Sequence, residues 1–517
     1  MRKLCRALFS RYTVSALTIL LSVGLIWFLI YLASVYSVLI YACLLILNVL
    51  VILSIINKEA NPEYKLPWIV ITLLLPLFGA ALYVIFYSRR LSKKETKLLR
   101  KIHEEAKIAS SETHSDIEAS HIEMLKTVHT PAAGKVRSIL NDDPCADLYR
   151  GTVSKYYPLG ELMLEDMIKD MESAERYIFL EFFIVQGGKM WDSIHAVLKR
   201  KANEGVDVRL LYDDIGCMKT LPAAFPSRLL RDGIKCQRFA KVTPRVSAIH
   251  NNRDHRKILC IDGSVAYTGG INIADEYINH IKRFGHWKDG GIRVQGNAAL
   301  GFTKQFLSMW DLTSGTVSNY SDYLTCESTT YEEDGGYYIP FGSGPAPVYE
   351  RPVGKNILIN LINQAQRYVY ITTPYLIIDY ALTEALKCAA QRGVDVIIIT
   401  PSIADKKKVK VMTKSAYPNL MDAGVKIYEY LPGFIHEKIL VVDDLYAVVS
   451  TINLDYRSLV HHFEDGLWMY NTPTVIEIRE EFFKTLSVSD ERDFDEARLS
   501  FFEKFVKSMI RLFAPLL

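Results

Sequence analysis

A histidine followed two residues later by a lysine occurs twice in this chain, each time at the start of an apolar segment. His255 and Lys257 begin HRKILCIDG, and His436 and Lys438 begin HEKILVVDD. Because side chains at positions i and i+2 of a strand point to the same face, each pair should project together. An imidazole can attack phosphorus or transfer a proton, and an ammonium neutralises phosphate oxygens. The pairs therefore predict chemistry on an anionic phosphate ester.

Two further residue types recur at fixed distances from each histidine. Asn272 and Asn453 follow their histidines by 17 residues, after small residues that let a backbone approach a ligand closely. An amide side chain there can donate a hydrogen bond to a phosphoryl oxygen. Asp262 and Asp443 complete the pattern H-x-K-x4-D. They should point to the opposite face of the strand, so we expect a structural role for them.

The two motifs belong to a duplicated unit. The segments 255–272 and 436–453 are offset by 181 positions without a gap. An apolar strand, a helical segment and a second strand precede each motif, which predicts an α/β fold with buried sheets and helices outside them. One H-x-K motif alone is weak evidence of function. The stricter pattern, found twice at one offset, favours catalysis over a structural role.

The paired motifs resemble the HKD signatures of the phospholipase D superfamily. Within it, FLEFFI, TGGINIADEY, NLDYRS and the N-terminal NPEYKLPWIVITLLLPLFGAALYVIF are similar to bacterial cardiolipin synthases. The resemblance covers nearly the whole chain and implies a duplicated phospholipase-D-like sandwich whose two α-β domains share one active site. It also implies a reaction in which one phosphatidylglycerol donates its phosphatidyl group to another, giving cardiolipin and glycerol, with no metal and no cofactor.

The resemblance further implies a role for each motif residue. One histidine would form a phosphatidyl-histidine intermediate, and the other would protonate the leaving glycerol and then deprotonate the acceptor hydroxyl. We predict His255 as the nucleophile and His436 as the acid and base, although the two halves are nearly symmetric. The phosphate oxygens would be held by two lysines and two asparagines: Lys257, Lys438, Asn272 and Asn453.

Two acidic residues match positions at which the superfamily places a carboxylate against an imidazole. They are Asp289 in HWKDGG and Glu464 in HHFEDG. Such a partner fixes the tautomer of a histidine and stabilises its charged form. The alternative for both is an ordinary surface carboxylate. The adjacent pair His461–His462 has no neighbour at a recognised metal-ligand spacing, so we expect no metal there.

The first 88 residues are predicted to be a membrane region. No charged residue occurs from Tyr12 to Asn57, a run too long for a signal peptide and long enough for two helices. We predict three spans, at about residues 12–33, 36–56 and 66–87. Bacterial cardiolipin synthases that resemble this chain have two, so the first span looks like an addition.

Charge indicates which side of the membrane the catalytic part occupies. Seven basic residues follow the last predicted span between Arg89 and Lys101, which favours a cytoplasmic body, although four basic residues also precede the first span. The eight scattered cysteines form no C-x-x-C pair and fit a reducing compartment. We therefore predict a multi-pass protein of the cell membrane with a cytoplasmic catalytic part.

The remainder of the chain divides into four predicted segments. They are a charged connector (89–135), a first phospholipase-D-like domain (136–311), a connector (312–350) and a second such domain (351–517). The last of these ends in an amphipathic helix that begins near Asp495.

Other functions remain open on the sequence alone. Water or another alcohol could accept the phosphatidyl group, which would make the chain a phospholipase D-type hydrolase or a different transphosphatidylase. A membrane-tethered nuclease would need a basic groove, which a net charge of +3 does not favour, so no nucleic acid partner is expected. A non-catalytic scaffold would be expected to lose one motif. The expected partners are phosphatidylglycerol and other anionic lipids, while the oligomeric state is not predicted.

Overall fold

The protein is described by a computed structural model that covers residues 23–25, 27–31, 34, 37–58, 61–75, 78–87, 93–241, 252–325 and 334–494. It forms two compact units, one from Met1 to Ser88 and one that begins at Arg89. The first unit contains the helices α1 (Ser37–Ile56), α2 (Pro62–Leu74) and α3 (Gly79–Tyr87). Its small core is built from Ile55, Trp68 and Tyr83.

The predicted membrane spans are only partly represented in these helices. The span at 12–33 lies largely outside the described residues, and the span at 36–56 corresponds to α1. The residues of the third predicted span, 66–87, belong to two helices, because α2 ends at Leu74 and α3 begins at Gly79. Pro76, between them in the sequence, has no amide hydrogen with which to continue a helix. No helix within the described residues is long and apolar enough to cross a membrane.

The second unit begins with two helices, α4 (Lys93–Val128) and α5 (Thr130–Asp142). They correspond to most of the segment predicted as a charged connector. The apolar face of α4 is buried in the main hydrophobic core through Ile102, Ala106 and Leu125. The helix is therefore a packed part of the body that carries the two motifs and not a free connector.

The first half of this body is built on a seven-stranded sheet. Its strands in chain order are β1 (Thr152–Tyr157), β2 (Tyr177–Phe182), β3 (Asp207–Asp213), β4 (Lys235–Phe239), β5 (Lys257–Ile261), β6 (Val265–Gly269) and, after a short separate strand β7 (His286–Lys288), β8 (Gly291–Gly296). The spatial order is β1-β8-β6-β5-β2-β3-β4. The helices of this half are α6 (Gly160–Glu172), α7 (Lys189–Asn203), α8 (Phe225–Arg231) and α9 (Ala298–Ser314).

The second half repeats this arrangement with eight strands. The main strands are β9 (Tyr337–Ser343), β10 (Tyr368–Thr372), β12 (Asp395–Pro401), β13 (Lys426–Tyr430), β15 (Ile439–Val442), β16 (Tyr446–Ser450), β18 (Glu464–Tyr470) and β19 (Ser489–Glu491). Three short strands lie apart from them: β11 (Leu376–Ile377), β14 (Gly433–Ile435) and β17 (Leu454–Asp455). The helices are α10 (Val353–Gln364), α11 (Tyr380–Gln391), α12 (Lys407–Met421) and α13 (Pro473–Ser487).

The strand orders of the two sheets correspond one to one. The first sheet contains β4-β3-β2-β5-β6-β8-β1, and the second contains β13-β12-β10-β15-β16-β18-β9 in the same sequence. In both sheets, the strand that follows the motif histidine pairs antiparallel with the second strand of its half, β5 with β2 and β15 with β10. The predicted duplicated α/β unit is therefore confirmed. Buried side chains of both halves join in one continuous hydrophobic core.

The position of the motifs on the strands differs from the sequence-based prediction. His255 lies before β5, which begins at Lys257, and His436 and Lys438 lie before β15, which begins at Ile439. The prediction placed both pairs inside their strands. The pairs lie instead just before or at the first residue of their strands, because the backbone of each histidine is hydrogen-bonded to the other half of the chain.

Candidate active site

Each histidine is held by a backbone hydrogen bond from the opposite half. The amide of His255 donates to the carbonyl of Phe463 at 2.8 Å, and that of His436 donates to the carbonyl of Lys288 at 2.7 Å. Short parallel pairings accompany these bonds. The bridge Asp254–Phe463 lies beside the first histidine, and β14 pairs with β7 beside the second. The two junctions are equivalent under the internal repeat, so each half positions the histidine of the other.

The residue after each of these carbonyls supplies a carboxylate to the same histidine. The Nδ1 atom of His255 lies 2.8 Å from Oε2 of Glu464, and Nδ1 of His436 lies 2.6 Å from Oδ2 of Asp289. Neither carboxylate has exposed surface, so the alternative of ordinary surface residues does not describe them. When its carboxylate is ionised and can only accept, Nδ1 of each histidine carries the hydrogen, and Nε2 is the nitrogen available for chemistry.

The two motif lysines are buried beside the histidines. The Nζ atom of Lys257 donates to the carbonyl of His255 at 2.6 Å, and Nζ of Lys438 lies 2.8 Å from Nδ1 of His436. Burial lowers the pKa of Lys257 to about 8 and that of Lys438 to about 7. Burial, and then the charges of both lysines, hold the pKa of each histidine well below its usual value. The two motifs therefore act on one another within a single site.

The two predicted phosphate-binding asparagines have different surroundings. Both polar atoms of the Asn272 side chain have a partner: Nδ2 donates to the hydroxyl of Tyr277 at 2.8 Å, and Oδ1 accepts from the amide of Ile184 at 3.1 Å. Asn453 is also buried, but its Oδ1 has no hydrogen-bond partner in the described part of the chain. This free atom is an acceptor, so it suits a ligand hydroxyl, whereas a phosphoryl oxygen would need the Nδ2 group.

The aspartates that complete the motifs bind backbone amides. Asp262 accepts from the amides of Glu175, Arg176 and Tyr177 at 2.7–2.9 Å. Asp443 accepts from those of Gln366, Arg367 and Tyr368 over the same range of distances. Both aspartates have positive φ angles, 52° and 58°, as required by the turn that follows each motif strand. Each ties that turn to the start of the neighbouring strand, β2 or β10.

Several residues around the histidines were not identified from the sequence. His255 has the ring of Phe183 at 4.9 Å and that of His462 at 5.5 Å, whereas His436 has Trp287 at 5.4 Å and Tyr277 at 5.7 Å. The hydroxyl of Thr451 donates to Oε2 of Glu464 at 2.5 Å. Trp287 and His462 each precede the carboxylate by two positions, a spacing that the repeat could have revealed.

One group of side chains here could hold a metal ion. His255, His462 and Glu464 place one ligand atom each within 4.8 Å of one another. Two observations disfavour a cation: the Nδ1 atom of His255 is already bonded to Glu464, and the charges of Lys257 and Lys438 act on the same imidazole. These residues fit proton handling on an anionic substrate better than metal binding.

Comparison with protein families agrees with this geometry. A family described as cardiolipin synthase, PLD-like domain matches residues 167–284 and 358–486. A second family, phospholipase D-nuclease N-terminal, matches residues 46–86. The chain belongs to the cardiolipin synthase family of the phospholipase D superfamily.

Similar proteins extend over almost the whole chain. A cardiolipin synthase of Halalkalibacterium halodurans is 30% identical over 94% of this chain and 95% of its own length. A cardiolipin synthase of Staphylococcus aureus is 30% identical over 91% and 95%. An uncharacterized protein of Streptococcus mutans is 40% identical over 90% and 99%. The family therefore covers the N-terminal unit as well as both catalytic halves.

The crystal structure of phosphatidylserine synthase from Haemophilus influenzae Rd KW20 has a similar fold. It superposes with a TM-score of 0.56 over 74% of this chain and 98% of that protein, at 14% identity. At this identity the likeness concerns the fold alone. The duplicated architecture of the catalytic body is thus shared with an experimentally determined structure.

Proposed function

We propose that this chain is a membrane-bound cardiolipin synthase that transfers a phosphatidyl group between two phosphatidylglycerol molecules. The observation that carries the proposal is the pair of buried histidines, each bonded to a carboxylate of the opposite half and each beside a buried lysine. Two equivalent imidazoles suit a reaction that exchanges one glycerol oxygen on phosphorus for another, since the two steps are chemically alike.

In the first step, Nε2 of His255 attacks the phosphorus of one phosphatidylglycerol. The bond from phosphorus to the terminal glycerol oxygen breaks, and His436 gives that oxygen a proton. In the second step, His436 takes a proton from a headgroup hydroxyl of a second phosphatidylglycerol. The resulting oxygen attacks phosphorus, the bond from phosphorus to His255 breaks, and cardiolipin leaves. Free glycerol is the only other product.

The assignment of His436 as the acid is supported by its carboxylate partner. Burial raises the pKa of Asp289 to about 7. A proton shared between Asp289 and His436 is therefore retained up to neutral pH, where it can be delivered to the leaving oxygen. Burial and the two lysines lower the pKa of both imidazoles, which keeps His255 neutral for attack, so the proton delivered by His436 would be the one that the Asp289–His436 pair holds together.

The phosphodiester would be held by the lysines and by one amide. The charges of Lys257 and Lys438 act on both imidazoles, and they would neutralise the charge that develops on the phosphoryl oxygens. Nδ2 of Asn453 would donate a hydrogen bond to a phosphoryl oxygen. Asn272, which the sequence placed in the same role, would act through Tyr277 and hold the wall of the site beside His436.

The surface beside His436 fits an anionic lipid bilayer. Exposed apolar side chains there belong to Ile281, Ile403 and Leu431. Ile403 lies against the backbone of Gly285, so the loops of the two halves meet at this place. Exposed basic residues flank them: Lys282, Arg283, Lys406, Lys407 and Lys408. We call these eight residues the rim; apolar and basic side chains together match the bilayer interface.

The N-terminal unit would keep the enzyme at the same bilayer. The predicted spans would confine the chain to two dimensions, where phosphatidylglycerol is both donor and acceptor. A cytoplasmic catalytic body is the orientation that the basic residues after the last predicted span support. In this arrangement lipid hydroxyls, rather than water, would be the acceptors nearest to the phosphatidyl-histidine.

The test is product analysis with the full-length protein in vesicles of phosphatidylglycerol. We expect cardiolipin and glycerol in equal amounts by mass spectrometry, and no turnover for His255→Ala or His436→Ala. His195→Ala, at an imidazole on α7 bonded to Asp232, is the matched control and should retain activity. Phosphatidic acid without cardiolipin would instead assign a hydrolase, and products with an added alcohol would assign a wider transphosphatidylase.

A further inference from the structure

The residue two positions before each carboxylate packs against the histidine which that carboxylate binds. Trp287 precedes Asp289, and its ring centre lies 5.4 Å from that of His436. His462 precedes Glu464, and its ring centre lies 5.5 Å from that of His255. The two positions are therefore equivalent in the internal repeat, although one holds an indole and the other an imidazole.

The polar atom of each ring faces the carboxylate. The indole Nε1 of Trp287 donates to Oδ2 of Asp289 at 3.5 Å. The Nδ1 atom of His462 lies 3.6 Å from Oε1 of Glu464. While Oε2 of Glu464 accepts from His255 and Thr451, Oε1 has no other partner in the described residues. The imidazole of His462 is thus the group placed to complete the hydrogen bonding of this carboxylate.

The main chain fixes the ring of His462 in this place. Its amide donates to the carbonyl of Arg457 at 2.9 Å, which closes the π-helical turn Arg457–His461. Turns of this kind are rare and are often found at functional sites. The ring is 8% exposed, and both of its nitrogens lack a hydrogen bond within the described part of the chain. A buried imidazole without any partner is costly, whereas a small rotation toward Oε1 would satisfy it.

We propose that His462 is a positioning residue that donates from Nδ1 to Glu464 and thereby holds this carboxylate against His255, as Trp287 does for Asp289 and His436. The proposal rests on the function proposed above. It makes the two halves of the site unequal, because an imidazole can gain a proton and an indole cannot. The donor beside Glu464, in the half of the site with the nucleophile, can thus change its protonation state. The donor beside Asp289, in the half with the acid, cannot.

The electrostatic setting keeps His462 neutral under ordinary conditions. Burial lowers its pKa to about 4. The charged and titratable groups that bear on it and on its immediate neighbours are Glu464, His255, Arg457, Lys257, Lys438, His436, Asp455 and Arg253. A neutral imidazole has one N–H, which Glu464 would select at Nδ1.

Loss of the donor at His462 should change the pKa of His255 in one direction. Without His462, the charge of Glu464 is shared with one donor fewer and binds the Nδ1 hydrogen of His255 more strongly. A stronger acceptor favours the protonated imidazole, so the pKa of His255 rises. Since His255 must be neutral to attack phosphorus, the acid limb of the rate profile moves to higher pH.

The experiment compares four full-length variants in phosphatidylglycerol vesicles: His462→Phe, His462→Asn, His462→Trp and Trp287→Phe. For His462→Phe we expect kcat to fall on the order of tenfold, KM to stay within about twofold, and the acid limb to rise by about half a pH unit or more. The Asn and Trp variants, which keep an N–H donor, should recover most of the rate. Trp287→Phe should leave the acid limb in place and move the basic limb.

A second readout does not depend on turnover. Carbethoxylation of His255 by diethyl pyrocarbonate, followed by peptide mass spectrometry across pH, reports its titration directly. The midpoint should be higher in His462→Phe than in the wild type. An unchanged midpoint in a variant with a normal melting temperature would overturn the proposal, as would an Asn variant as impaired as the Phe variant. If the wild type forms no cardiolipin, the proposed function fails while this titration still decides the role of His462.

Discussion

The imidazole of His255 and the carboxylate of Glu464 are hydrogen-bonded at 2.8 Å, although 209 positions separate them in the chain. The equivalent pair, His436 and Asp289, is bonded across the same boundary in the opposite direction. Each half of the repeat thus carries the carboxylate for the other. The orientation of each histidine therefore depends on how the two halves pack against each other.

Removal of the charge of Glu464 should slow catalysis. In a variant that already lacks His255, the same change should cause no further loss of rate. For Glu464→Gln we expect kcat to fall by about 10² or more, because the amide no longer fixes the tautomer or stabilises the charged ring. The double variant with His255→Ala should be no slower than His255→Ala alone. Steady-state rates of glycerol release measure both. Additive losses would mean that Glu464 acts independently of His255.

Substrate binding should weaken as the pH rises from 7 to 8. The pKa of Lys438 is lowered to about 7 and that of Lys257 to about 8, so both ammonium groups lose their protons in this range and no longer attract the phosphodiester. A bound anion favours the protonated lysines, so in the complex they will lose their protons at a higher pH than in the free enzyme. KM across pH reports it, and Lys438→Arg, which keeps its charge, should flatten the rise. A KM independent of pH in the wild type would refute this account.

The aspartates of the motifs should matter for stability more than for chemistry. Asp262→Asn removes the charge that accepts three backbone amides at the start of β2, for which we expect a loss of about 2–4 kcal/mol in the free energy of unfolding. Asparagine tolerates the positive φ at this position. Thermal unfolding should show a lower Tm, while kcat at a temperature where the variant is folded stays within about threefold. Loss of activity at an unchanged Tm would contradict the structural role.

The rim should be needed for bilayer substrate and not for dispersed substrate. Leu431→Asp and Ile403→Asp place a charge where an apolar side chain would meet the bilayer, so KM for vesicles should rise several-fold. KM for short-chain phosphatidylglycerol below its critical micelle concentration should not change. Leu230→Asp, at a residue of α8 that is 66% exposed, is the control. Equal effects on both substrates would place the damage inside the site instead.

Much of this arrangement follows from the sequence because it is repeated. The offset of 181 residues between the motifs predicts two equivalent sheets, and both are present with corresponding strand orders. The spacing also predicts that Asp262 and Asp443 face away from the histidines, and each is bonded to backbone at a neighbouring strand. Spacing in the sequence is sufficient to predict the structure wherever the contacts are made within one half.

The features that sequence patterns miss depend on contacts between the halves. Strand periodicity places His255 inside β5, whereas the hydrogen bond to Phe463 holds it before the strand begins. No pattern indicates that Tyr277 occupies the amide of Asn272. Asp289 and Glu464 were found only through resemblance to a family, since nothing in their spacing relates them to the histidine of the other half.

The exchange of carboxylates between halves has a consequence for synthesis of the protein. His255 and Lys257 leave the ribosome about two hundred residues before Glu464, whose carboxylate orients the first histidine. His436, in turn, is synthesised long after Asp289, so Asp289 has no imidazole to bind until then. A nascent or truncated chain can therefore contain the complete first motif and still lack the carboxylate that orients His255. Under the proposed function, the chain would act on membrane phospholipids only after the second half has folded onto the first.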